Sequence, residues 1–201
     1  MDLENLNLCK ITFIREDPKT QEDLKTLQKI SDLLTDICEE TQKGTNVFFS
    51  PLKAFYTKNI PLISIKDYLL HIYKYTKINS STIILILIYL DRICNINKCK
   101  LSFYNIHKLI LGSVMLSIKY NEDEYYSMKF YAKVGGISLA EIINIEYNFL
   151  SLIDFNLFVD NNLFHKYNDY MLSSDSDDED NEEDNYNYDD NNDEETKTNN
   201  I

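Results

Sequence analysis

Three ionisable residues, Asp91, Lys119 and Glu146, fall where helical periodicity places a buried side chain. A charge in such a place is costly unless it finds a partner, within the domain or on another protein. That points to a binding module rather than a catalyst. The residues that catalysts use give little else. His71, His107 and His165 lie on separate predicted helices, with no Ser, Cys or carboxylate gathered around a glycine-rich turn. The four glycines, Gly44, Gly112, Gly135 and Gly136, fit neither a phosphate-cradling loop nor a dinucleotide fingerprint. Cys9, Cys38, Cys94 and Cys99 show no CxxC spacing, and the Cys94–Cys99 pair has no second pair or nearby His to complete a zinc site. Reduced thiols are the expectation, with no metal and no cofactor.

Charge divides the chain. The formal net charge is −13 over 201 residues, but residues 173–201 hold 13 Asp and Glu against the single Lys197. That leaves 20 acidic and 19 basic residues in 1–172, a nearly neutral body. Nucleic-acid binding needs a basic footprint, so it is not expected. A membrane partner is not expected either. The longest apolar-rich run, Ile106 to Ile118, is too short to span a bilayer and includes His107 and Lys108. Met1–Lys10 has acids and no apolar stretch of the secretory kind. An intracellular protein is expected, in nucleus, cytoplasm or both.

The elements that must position the charged residues read as all-α. Residues 1–59 form an N-terminal segment with an amphipathic helix over about 22–40, where Leu24, Leu27, Ile30, Leu33 or Leu34, and Ile37 recur at helical spacing. Residues 60–172 carry five helices. Ser64 caps the first, with Asp67 in its first turn. The second runs from Thr82 to about Cys94, apolar all round and therefore central. The third starts near Ser102, with Leu101 and Ile106 as a hydrophobic staple, and ends around Lys119–Tyr120. Gly112 and Ser113 sit midway along it, small enough to admit a neighbouring helix. Ser138-Leu139-Ala140-Glu141 is a capping box opening the fourth, whose expected core stripe is Leu139, Ile142, Ile143, Glu146, Phe149, Leu150 and Ile153. The fifth covers about Asn161 to Leu172. Residues 173–201 have almost no apolar content and are expected to stay disordered.

Four blocks in order then carry a resemblance: ISIKDYLLHIYKY (Ile63–Tyr75), LIYLDRI (Leu87–Ile93), NIHKLILGSVMLSIKY (Asn105–Tyr120), and Tyr125–Phe155 with YAKVGGIS inside it. Together they resemble a cyclin box, more narrowly that of the P/U-type cyclins, over nearly all of residues 60–160. The resemblance implies a cyclin-box five-helix core, a single box, and a non-catalytic regulatory subunit that binds and activates a cyclin-dependent protein kinase. It assigns kinase binding to Lys119 and Glu146, which match the Lys and Glu through which cyclins grip the helix carrying the kinase's catalytic Glu. The residues by themselves also allow Lys119 to cap its own helix and Glu146 to pair internally with Arg92 or Lys119. Asp91 matches an Asp that relatives pair with an Arg; that position holds His71, so an Asp91–His71 pair is expected instead. Where relatives usually have two Asn after the tyrosine pair, this chain has Ser127-Met128. The segment with Tyr125, Tyr126, Tyr131 and Lys133 reads either as packing or as an aid to choosing the kinase.

Two further readings stay open. One is a kinase-independent helical adaptor on the same fold. The other gives the acidic tail a role in binding basic proteins. Ser174 and Ser176 each precede an acid by three residues and are candidate phosphorylation sites, each adding a charge of about −1.5 to −2.

Overall fold

The structure is a computed structural model that describes residues 18–43 and 51–173. Among these, seven α-helices and one short 3-10 turn (Lys53–Phe55) are present and no strand. The helices are α1 (Pro18–Lys43), α2 (Ile65–Thr76), α3 (Ser80–Asn97), α4 (Ile106–Asn121), α5 (Met128–Gly135), α6 (Leu139–Leu152) and α7 (Asn161–Leu172). The all-α expectation holds. Residues 60–172 carry six helices where five were expected, because Met128–Gly135 is helical. The acidic segment beyond Ser173, with Ser174 and Ser176, lies outside the described residues.

Helix α3 sits at the centre, packed against α1, α4, α6 and α7. Every residue from Thr82 to Leu90 is buried, which is what its all-round apolar composition requires. By length and composition α3 is the one described helix apolar enough to cross a membrane, whereas the sequence reading places the longest apolar-rich run at 106–118; the apolar surface of α3 is used on other helices. The side chain of Asn79 caps it by accepting from the Thr82 N–H at 2.9 Å.

The other caps vary in fidelity. Ser64 Oγ accepts from the Asp67 N–H at 3.0 Å and donates to the Asp67 carboxylate at 2.8 Å. Ser102 does not start α4. It heads a turn in which Asn105 Oδ1 accepts from the Ser102 N–H at 2.9 Å, and the helix begins four residues later. Ser138 Oγ accepts from the Glu141 N–H at 3.2 Å, but the Glu141 carboxylate pairs with Lys108 of α4 at 2.7 Å. Half of that capping box became a bridge between helices.

Helices α4 and α6 approach closely at Gly112. A Cβ there would meet Phe149 Cδ2 at 2.8 Å and Ile145 Cγ2 at 3.0 Å. The glycine costs about 1 kcal/mol of helix propensity, and the close packing of two buried side chains offsets it. Helix α1 is longer than expected and more than a surface strap. Leu27, Ile30, Leu34 and Cys38 are buried, and Asp23, 4 % exposed, accepts from Tyr73 Oη (2.9 Å) on α2 and Ser80 Oγ (2.7 Å) on α3. A buried carboxylate with two hydroxyl donors is satisfied and fixes α1 across both helices.

Candidate functional site

Lys119 lies in the last turn of α4 and Glu146 near the middle of α6. The packing of α4 on α6 through Gly112, Ile145 and Phe149 brings them together, with Lys119 Nζ 2.5 Å from Glu146 Oε1. Of the partners open to Glu146, the structure selects Lys119. Each side chain keeps about a quarter of its surface in solvent, 24 % and 25 %. Met128 Sδ, at the start of α5, lies 3.3 Å from Lys119 Nζ and closes one side. An ammonium has three donors and a carboxylate about four acceptor positions, so this pair retains capacity for an incoming amide or carbonyl.

The surroundings are apolar. On α6 the buried residues are Ile142, Ile145 and Phe149, with Ile153 following the helix, whereas Leu139, Ile143 and Tyr147 are exposed by 39 %, 50 % and 67 %. Their four-residue spacing lines them along one edge of the helix, next to Glu146. The expected single core stripe therefore resolves into two: one faces the core, and Leu139 and Ile143 belong to an uncovered edge. Tyr120, after Lys119, is exposed as well. Sequence reasoning missed this edge, although the excess of apolar residues on α6 over what one packed face can use was a signal.

Helix α5 supports the pair from below. Ser127 caps it, accepting from the Phe130 N–H at 3.3 Å. Tyr131 is fully buried, and burial pushes its hydroxyl up to about 12, with the nearby Glu146 and Glu122 carboxylates adding to the effect. Tyr126 stacks on Phe130 at 4.1 Å and donates to the Thr76 carbonyl at 2.9 Å. Both tyrosines serve packing. Tyr125 and Lys133 are exposed.

Asp91 and His71 are not a pair. The Asp91 side chain is exposed and accepts from Tyr167 Oη and Asn95 Nδ2, both at 2.7 Å, so it ties α3 to α7. Burial first and the Asp91 contact second push the Tyr167 hydroxyl well above the usual tyrosine range. His71 Nε2 instead donates to the Val134 carbonyl at 3.1 Å, joining α2 to α5. The imidazole is engaged by that carbonyl, and the Asp91 carboxylate by Tyr167 and Asn95. Arg92 holds the chain between α6 and α7 by its Asn156 (2.5 Å) and Phe158 (2.9 Å) carbonyls.

Among the described residues, seven helices are present with an apolar one at the centre, and a Lys–Glu pair lies on an exposed apolar edge. Comparison with known proteins makes the class specific. The cyclin family model matches residues 14–157, and the chain belongs to the cyclin family. It is similar to Cyclin-U2-1 of Arabidopsis thaliana, 31 % identical over 154 residues that cover 73 % of this chain and 69 % of that one. It is similar to PHO85 cyclin-7 of Saccharomyces cerevisiae, 35 % identical over 150 residues, 68 % of this chain and 53 % of the relative. The PHO85 cyclin-like protein psl1 of Schizosaccharomyces pombe is 36 % identical over 154 residues, 75 % and 63 %. The matched region thus spans from about half to just over two thirds of these relatives. These relatives place the chain among the P/U-type cyclins.

Proposed function

We propose that this chain binds a cyclin-dependent protein kinase and holds it active through the face built on Lys119 and Glu146. The observation that carries the reading is the pair itself, already joined, partly open to solvent and bordered by Ile143 and Tyr147, which no described residue covers. Docking of a kinase helix on that edge removes water from the apolar strip at about 25 cal/mol per Å². The spare acceptor and donor positions of the pair then meet backbone groups at the end of the docked helix. Held inward, that helix keeps the kinase's own Lys–Glu ion pair, which phosphoryl transfer requires. The chain supplies no catalytic group in this scheme. His71 and His107 are engaged with backbone carbonyls, and phosphoryl transfer belongs to the partner.

Affinity purification from the native cell tests this. The full chain is expected to retain a phosphotransferase activity that a Lys119→Ala, Glu146→Ala variant of normal helicity fails to retain. Equal kinase activity on both would overturn the assignment of the face.

A further inference from the structure

Helix α3 ends in a left-handed residue, Lys98 (φ 49°), and the next residue, Cys99, donates its backbone N–H to the Cys94 carbonyl at 3.3 Å. This is the closing bond of a Schellman motif, in which the two residues so joined commonly bring their side chains into contact. Here both positions carry thiols. The bond keeps their Cα atoms within about 7 Å, near the range of about 4.4–6.8 Å that a disulfide spans. Both side chains are half-buried and line one cleft of about 700 Å³ between α1, α3 and α7, along with Leu34, Lys100 and Tyr167. The pair is thus adjacent, oriented by a backbone motif and open to a small reagent.

The two sulfurs are chemically unequal. In the thiol form Cys99 Sγ donates to the Ile93 carbonyl at 3.6 Å. A hydrogen bond from the Cys94 thiol holds Cys99 below the ordinary thiol range, and the same bond, with burial, pushes Cys94 up. Cys38, fully buried on α1, is pushed up to about 12 by burial. A thiolate is the reactive form, so Cys99 is the one to attack.

We propose that Cys94 and Cys99 form a modification site at which a hydroperoxide oxidises the pair to a disulfide. The Cys99 thiolate attacks the peroxide, the O–O bond breaks, and the departing oxygen leaves as water or an alcohol after taking a proton. Cys99 is left as a sulfenic acid. The Cys94 sulfur then attacks the Cys99 sulfur, the S–O bond breaks, water leaves and the S–S bond closes. Two electrons pass from the thiols to the peroxide. The product clamps the last turn of α3 to the segment that leads into α4.

The test uses the full chain with hydrogen peroxide as the probe, followed by denaturation, alkylation of remaining thiols and peptide mapping. The expected product is a Cys94–Cys99 bridge lighter by two hydrogens, reversed by dithiothreitol, with Cys38 still alkylated. In Cys94→Ser, Cys99 is expected to accumulate as a dimedone-trapped sulfenic acid, while Cys94 in Cys99→Ser is trapped about tenfold more slowly. Cys94 and Cys99 both remaining alkylatable, a bridge running to Cys9 or Cys38 instead, or equal dimedone labelling of the two single variants would each overturn the proposal.

Discussion

Lys119 Nζ stands 2.5 Å from Glu146 Oε1, linking the last turn of α4 to the middle of α6. Two roles that the sequence left as alternatives, an internal pair and a docking pair, are therefore compatible in one geometry. With both side chains about a quarter exposed, the pair contributes little to folding, on the order of 0–1 kcal/mol. In the proposed docking role its value lies in arriving at a partner already oriented. When docking covers it, loss of one member leaves the other charge buried alone, which costs about 2–5 kcal/mol of binding, or some 30-fold and more in affinity.

The exposed edge of α6 gives a separable expectation. Ile143 is half-exposed and outside the core, so Ile143→Asp should leave the thermal midpoint within a few degrees of wild type. Kinase binding should fall at least tenfold, because a charge then faces an apolar contact. Calorimetric melting beside a pull-down titration checks both parts; unchanged binding would remove α6 from the interface.

Gly112→Ala tests the helix crossing. Alanine gains about 1 kcal/mol of helix propensity, but its methyl meets Phe149 and Ile145 at 2.8 and 3.0 Å. Overpacking of this kind costs about 1–3 kcal/mol, so a net loss of stability is expected in urea unfolding. Gly112→Val should lose more. A Gly112→Ala variant more stable than wild type would contradict the packing described.

Acid sensitivity is expected from His107. The side chain is buried against Tyr68, Nε2 donates to the Ile63 carbonyl at 2.9 Å, and Nδ1 has no hydrogen-bond partner among the described residues. Burial lowers its pKa below the ordinary 6.5, the Ile63 bond opposing in part. The unfolded chain therefore binds this proton first. The associated stability is present above about 6.5 and is lost as pH falls through the lower folded value. His107→Gln should show a shallower fall in unfolding free energy between pH 7 and pH 5. Parallel curves for the two proteins would exclude His107 as the cause.

Local signals written in the chain marked much of this fold. Ser64 and Ser138 cap the helices they were expected to cap, and the apolar run 82–90 is buried at the centre. Helix α5 escaped notice because it is only eight residues long and runs into Gly135-Gly136, which reads as the end of a loop. Its cap, Ser127, was visible. The start of α4 was misplaced because Ser102 and Asn105 satisfy each other in a turn, a local bond that competes with helix capping.

The candidate site was legible only in part. Periodicity put Lys119 and Glu146 on helix faces, but their meeting depends on how closely α4 and α6 pack, which no local pattern states. Periodicity also cannot say which side of a widely apolar helix is covered, so Leu139 and Ile143 were assigned to the core. The Asp91–His71 expectation failed for a similar reason: each residue found a nearer partner, Tyr167 or the Val134 carbonyl, on helices whose placement only tertiary structure settles.

A charge swap tests the central claim most directly. Lys119→Glu with Glu146→Lys rebuilds the internal pair with its ends exchanged, so a merely structural role survives while donors and acceptors presented to a partner are inverted. Kinase activation by the swapped chain is measured beside its thermal midpoint. The expected result is a midpoint close to wild type with activation reduced at least tenfold. A swapped chain that melts normally and activates the kinase as well as wild type would contradict the docking role of Lys119 and Glu146.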